Sequence, residues 1–189
     1  MTGATAVQTG ISTWRLDPTH SSVEFSVKHM MMTTVRGRFK DVRATLTGSE
    51  EHPDGCCVEA EIDVSSIDTG VADRDEHLKG ADFFDAARYP QITFRSTRYE
   101  GTVRTEGDRF RVLGDLRIRD TTIEVTLDCV FAGRGPDPWG NERAGVTAQT
   151  EIDRRDWGLR WNQAIETGGV LVANKVRIEV EAQFIRQAG

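Results

Sequence analysis

The strongest constraint on this chain is a side-chain alternation of period two that recurs along most of its length. Its clearest run places Val176, Ile178, Val180, Ala182 and Phe184 between Arg177, Glu179, Glu181 and Gln183. Neighbouring side chains on a strand point to opposite faces, so such a run has one dry face and one wet face. The same pattern sets Val23, Phe25 and Val27 against Glu24, Ser26 and Lys28, and Val42, Ala44 and Leu46 against Arg43, Thr45 and Thr47. It returns at Val58, Ala60, Ile62 and Val64, at Ile92 and Phe94, and at Val146, Ala148 and Ile152. Many short one-sided strands must curl on themselves or pack in two layers to bury their apolar faces. An all-β antiparallel barrel or sandwich is the expected fold class.

One hairpin can be read with its register. Phe110, Val112, Leu116 and Ile118 share a face, as do Ile123, Val125, Leu127, Cys129 and Phe131. A two-residue turn at Asp120-Thr121 pairs Ile118 with Ile123, Leu116 with Val125, Val112 with Cys129, and Gly114 with Leu127. The alternation stops between Ser65 and Tyr89. There Asp73 to Lys79 reads as a short helix with Asp73 as N-cap and Gly80 as its end. Residues 133–140 and 165–169 are rich in glycine, proline and polar residues and read as loops.

With 189 residues, 38% apolar and 29% charged, the chain suits one globular domain. No run approaches the roughly 20 apolar residues of a spanning helix, so stable membrane insertion is not expected. A net charge of −6 disfavours a nucleic-acid partner, which calls for a basic face. The opening residues have neither a basic nor an apolar signal region, and the expected location is cytoplasmic. Cys56, Cys57 and Cys129 make an odd count with two neighbours, a poor disulfide framework that reads as reduced thiols. The sequence leaves a homodimer open.

Two further stretches are distinctive. One runs Trp14-Arg15-Leu16-Asp17-Pro18-Thr19-His20-Ser21-Ser22-Val23-Glu24-Phe25-Ser26-Val27-Lys28-His29-Met30. The other runs Arg74-Asp75-Glu76-His77-Leu78-Lys79-Gly80-Ala81-Asp82-Phe83-Phe84-Asp85 and continues to Tyr89-Pro90-Gln91-Ile92-Thr93-Phe94. With Gly114 to Arg119, Asp137 to Gly140, Arg155 to Leu159, Trp161-Asn162 and Gly168 to Val172, they resemble the YceI-like family of lipocalin-like, polyisoprenoid-binding proteins. The resemblance implies a single lipocalin-like β-barrel of about eight strands over residues 14–186, a helical insertion near residues 73–88, and a flexible tail at 1–13. It also implies a lipid ligand, a polyisoprenoid or isoprenoid quinone, held for carriage or storage. Members are often exported.

On strand parity and this resemblance, the residues expected to line the channel are Phe25, Val27, His29, Phe94, Leu116, Ile118, Val125, Leu127, Phe131, Trp157 and Trp161. Met30, Met31 and Met32 could flank an entrance. No nucleophile elbow, phosphate loop or dinucleotide fingerprint appears, and no histidine pair has metal-ligand spacing. No cofactor, metal or catalytic residue is therefore expected. Arg74, Asp75 and His77 are expected to fix the helical insertion over a barrel rim. Two rival readings stay open. One is an enzyme acting on a hydrophobic substrate through His29, with Ser96 or Thr150 at inward parity. The other is a stress-related protein with a vestigial pocket.

Overall fold

The structure, a computed structural model, describes residues 10–49, 52–164, 166 and 169–188. The described residues form eleven strand segments and one α-helix, α1 (Ala72–Lys79). The strands are β1 (Ile11–Leu16), β2 (Ser22–His29), β3 (Thr33–Phe39), β4 (Val42–Ser49), β5 (His52–Asp63) and β6 (Ile67–Asp68). They continue with β7 (Gln91–Glu100), β8 (Arg109–Ile118), β9 (Thr121–Pro136), β10 (Glu142–Asp153) and β11 (Val172–Arg186).

The eleven segments make eight antiparallel staves, because the first three staves are each broken once. β1 and β2 run on in one direction around a single 3-10 turn, Pro18–His20, and both border β11. β3 runs on into β4 past Lys40-Asp41, pairing first with β2 and then with β1. β5 runs on into β6 around Val64–Ser66 and pairs with β4, while β6 pairs with β3. Each remaining stave pairs with its sequence neighbour, and β11 closes on β1, so the barrel is closed. An aspartate makes two of these breaks. Asp17 and Asp63 accept the backbone N–H two residues on, from Thr19 at 3.0 Å and Ser65 at 2.7 Å, which stabilises a single turn where a strand would otherwise continue. Asp153 repeats the device after β10, accepting from Arg155 N at 3.1 Å.

Several local expectations are corrected. The first strand starts at Ile11, so residues 11–13 belong to the barrel; their backbone completes the ladder to Ser49, Gly48 and Thr47. Residues 1–9 of the expected tail lie outside the described residues, as do Ile165, Thr167 and Gly168 of the expected 165–169 loop. The β8–β9 turn is Arg119-Asp120, with Ile118 opposite Thr121, Leu116 opposite Ile123 and Gly114 opposite Val125. That is a slip of two residues from the expected pairing, so every side chain keeps its face. Arg119, not the aspartate, takes the left-handed backbone, with φ 56°. α1 has Val71 at its N-cap without a side-chain cap, and Asp73 sits within the first turn. Gly133 to Pro136, expected in a loop, extend β9.

Candidate functional site

The inward faces of the staves enclose a cavity of about 360 Å³ whose wall is almost wholly carbon. Room exists because small side chains sit where bulky ones would fill the barrel: Ala44 beside Ala60 on β4 and β5, Ala148 and Ala182 on β10 and β11. Two glycines let aromatic rings lie flat over neighbouring backbone. A Cβ on Gly114 would collide with the Phe94 ring and one on Gly37 with the Phe25 ring, and both rings wall the cavity.

One end is closed by the segment after β6. Arg74 donates to the Thr69 Oγ1 and carbonyl at 2.7 and 2.9 Å, and Asp75 accepts from Thr69 N at 2.9 Å. His77 bonds Asp82 at 3.1 Å and sets its ring edge-on to Phe83 and Trp161. These contacts hold Leu78, Phe83 and Phe84 as the cavity's lid. Beside them Arg154 is buried at 6% exposure. Its guanidinium donates to the carbonyls of Ala173, Leu159, Trp161 and Val172, which ties the chain after β10 to the start of β11.

The cavity reaches the surface elsewhere. The β1–β4 ladder ends at Arg15 opposite Thr45, and the β2–β3 ladder begins at Val23 opposite Phe39. Between them the wall has an unladdered seam, and the cavity lining there includes the exposed Pro18 and Lys40. A charged clamp holds the seam's edge. Arg143 donates to Asp17 at 2.6 Å, to Gln183 at 2.6 Å and to Asp137 at 2.8 Å, and His20 bonds Asp17 at 2.8 Å. The Arg143 and His20 contacts outweigh burial and hold the Asp17 carboxyl well below the usual carboxylate range. At Asp137 burial opposes ionisation, but bonds from Arg143, Asn141 and Trp139 outweigh it and the carboxyl is likewise depressed.

Of the residues expected in the channel, Phe25, Val27, Phe94, Leu116, Ile118, Val125 and Leu127 line the cavity. The other four do not. His29 ends β2 opposite Val172 and keeps its regular pairing with Thr33 of β3, so it shares the parity of Val27, but it sits past the last cavity-lining residue of that strand. Among the described residues no hydrogen bond joins it to a carboxylate or to a hydroxyl such as Ser96 or Thr150. Phe131 lies opposite Val146, next to a bulge between Gly145 and Val146, and is not among the residues that wall the cavity. Trp157 and Trp161 are not on a strand, so their spacing of four does not set a common face. Trp157 sits in a 3-10 turn (Arg154–Trp157) at 2% exposure and donates from Nε1 to the Leu116 carbonyl at 3.1 Å, wedged behind the cavity wall. Trp161 follows in a loop, 5.4 Å from the Phe83 ring, on the outer side of the lid.

The sequence reading missed Leu78, Phe83 and Phe84, which come from the non-alternating insertion, and Tyr99, whose odd parity on β7 points outward. The signal for the lid was present: a Phe-Phe pair in an otherwise polar stretch. All three cysteines are outside disulfides, and burial pushes the Cys129 thiol up to about 12. Met31 and Met32 are exposed at the β2–β3 tip, where Met30 and Met31 take φ of 51° and 58°.

Comparison with known proteins agrees with this architecture. The model of the YceI-like domain matches residues 14–184. Protein YceI of Escherichia coli O157:H7 is 39% identical over 141 residues, covering 75% of this chain and 72% of that protein. Protein YceI of Salmonella newport is 38% identical over 140 residues, 74% and 71% of the two chains. The crystal structure of Burkholderia cenocepacia BcnA matches with a TM-score of 0.75 at 25% identity, over 89% of this chain and 98% of that one. A polyisoprenoid binding domain from Saccharophagus degradans shares the fold, with a TM-score of 0.68 at 14% identity over 92% and 98% of the chains. The chain belongs to the YceI-like family.

Proposed function

We propose that this YceI-like protein binds a polyisoprenoid or isoprenoid-quinone lipid inside its barrel and carries or stores it without transforming it. The observation that carries the reading is the closed barrel around a cavity of about 360 Å³ with a carbon wall, a lid of Leu78, Phe83 and Phe84, and an opening at the β1–β4 seam. That volume falls at the lower end of small-molecule pockets, roughly 300–1,000 Å³. The Saccharophagus degradans domain, described as polyisoprenoid binding, supports the ligand class by likeness of fold.

Burial supplies the driving force. At about 0.8 kcal/mol per buried CH₂-sized group, two to three isoprene units contribute on the order of 10 kcal/mol before the costs of association and ordering. Micromolar binding then needs few polar contacts, which suits this wall. His29, the group an enzymatic reading relies on, stands outside the cavity, and this favours binding over chemistry. The test is organic extraction of protein purified from a bacterial host, followed by mass spectrometry and by titration with a short-chain quinone. A prenyl lipid in the extract, or saturable uptake of the quinone, is the expected result. An extract without prenyl lipid together with no quinone uptake would overturn the reading.

A further inference from the structure

A buried polar atom in the cavity wall has no hydrogen-bond partner among the described residues. The phenol oxygen of Tyr99 is shielded from solvent, and no hydrogen bond satisfies it. Tyr99 reaches the interior only because β7 carries a bulge. The β7–β8 register shifts between Ser96 and Arg98, so Thr97 is an extra residue and Tyr99 comes to lie opposite Val112, on the inward row. Bulges of this kind re-aim a side chain at a cost in regular pairing. Around the phenol stand Cys56, Cys57, Cys129 and Ser96. Ser96 lies near enough to ease the phenol's ionisation and its Oγ accepts the Val58 N–H at 2.8 Å, but no hydrogen bond of acceptable geometry joins it to Tyr99. An apolar wall would be better served there by phenylalanine, since an unmade buried hydrogen bond is costly.

We propose that Tyr99 is the head-group donor of the cavity, giving a hydrogen bond to an uncharged acceptor oxygen, a carbonyl above all, on the polar end of a prenyl ligand. This rests on the reading that the barrel holds a prenyl chain. Burial pushes the Tyr99 phenol up to about 12, so it stays protonated and able to donate at neutral pH. A second observation restricts the head group to neutral chemistry. Among the described residues the cavity lining offers two cations, Lys40 and Arg154. Lys40 is paired with Asp68 at 2.9 Å at the exposed seam, and the Arg154 guanidinium is spent on four backbone carbonyls. A phosphate or diphosphate end would enter the barrel without a counter-charge, which is far costlier than burying a carbonyl. The ligand class is thus a prenyl chain ending in a quinone, aldehyde, ketone or ester.

The experiment uses four probes on one fifteen-carbon chain: farnesal, farnesol, farnesyl diphosphate and the hydrocarbon farnesene. Affinities are measured by titration against wild type and Tyr99→Phe, with the melting temperature of each ligand-free protein. Tyr99→Phe is expected to weaken farnesal about three- to tenfold, the scale of one neutral hydrogen bond, and to leave farnesene within about twofold. Ligand-free Tyr99→Phe should melt at or above wild type, because the orphan hydroxyl is gone. Farnesyl diphosphate should bind wild type more weakly than farnesal. Equal loss for farnesal and farnesene, no loss for farnesal, a clear drop in melting temperature, or a preference for the diphosphate would each overturn the role of Tyr99 while leaving lipid binding intact. Failure of all four probes to bind would overturn the prenyl-ligand reading, and this inference with it.

Discussion

Replacing Ala60 by phenylalanine should make the protein more stable and a worse binder at once. Ala60 sits on β5 between Ala44 of β4 and Phe94 of β7, and all three wall the cavity. A phenyl ring there grows into empty space, so the usual overpacking cost of about 1–3 kcal/mol in a filled core does not apply. It gains burial at about 25 cal/mol per Å² of apolar area, and a cross-strand aromatic contact with Phe94 adds about 0.5–1.5 kcal/mol. Engineered cavity filling commonly yields about 0.5–2 kcal/mol, or a rise of roughly 2–4 °C per kcal/mol in a domain of this size. The ligand loses what the ring takes. Displacing one five-carbon isoprene unit forfeits about 4 kcal/mol of burial, nearly a thousandfold in affinity, and repacking of the rest of the chain sets a floor of about tenfold. The assay pairs a urea denaturation curve of ligand-free protein with farnesene titration. Unchanged affinity in a variant that melts higher would show that the ligand does not occupy this cavity, and a large loss of stability would show that the space at Ala60 is not there.

Three further sets of substitutions probe separate parts of the structure. Leu116→Arg and Val125→Arg should each cost about 3–5 kcal/mol by burying an unpaired charge, while Arg117→Glu and Glu124→Lys on the wet face should shift denaturation midpoints little; equal tolerance at all four sites would contradict the register. Trp157→Phe should lower stability by about 1–3 kcal/mol, since the Leu116 carbonyl loses its donor, without abolishing the ligand-induced change in tryptophan emission; complete loss of that change would place Trp157 against the ligand. Asp17→Asn should weaken the protein at pH 7 and flatten its acid dependence. The folded carboxyl titrates below its ordinary 3.8, so its contribution is full above about pH 4 and is lost as pH falls through the folded value. Parallel denaturation curves for wild type and variant from pH 7 to 2 would refute the clamp.

What the sequence made legible follows from which signals are local. The staves with unbroken alternation, such as Val176 to Phe184, carry their facing in their own residues, and seven of the eleven expected channel residues lie on such runs and wall the cavity. The misplaced ones mark where period two fails. His29 and Phe131 lie at the ends of their inward rows, next to ladder irregularities, and Trp157 and Trp161 lie off the strands altogether. The β8–β9 register slipped by two because Arg119 takes a left-handed conformation that residue type alone does not advertise. The lid was missed for a different reason: the Phe83-Phe84 pair marks an apolar contact but has no periodicity to give its facing, and the burial of Leu78, Phe83 and Phe84 depends on where Thr69, Arg74, Asp75 and Trp161 hold them.

The same irregularities are what open a closed barrel to a ligand. Small inward side chains such as Ala44, Ala60, Ala148 and Ala182 leave the room, but eight regular staves would offer no way in. Here the single turns after Asp17 and Asp63 break the first and third staves, and the second is broken at Lys40-Asp41. Those breaks open the seam while the barrel stays closed through the β1–β11 pairing, and of the described strands only the two-residue β6 has a partner on one side alone. The bulge at Thr97 acts on the opposite need, turning one polar group inward where regular pairing would have turned it out. A sequence that kept strict alternation through residues 16–22 and 96–99 would gain a more regular sheet and lose both the opening and the Tyr99 phenol. Deleting Thr97 is the sharpest single perturbation of that idea: with the extra residue gone, Ser96, Arg98 and Tyr99 alternate in, out and in, so β7–β8 pairing becomes regular, Tyr99 stays opposite Val112, and the preference for farnesal over farnesene should survive; loss of that preference in a folded barrel would show that the bulge does more than aim Tyr99.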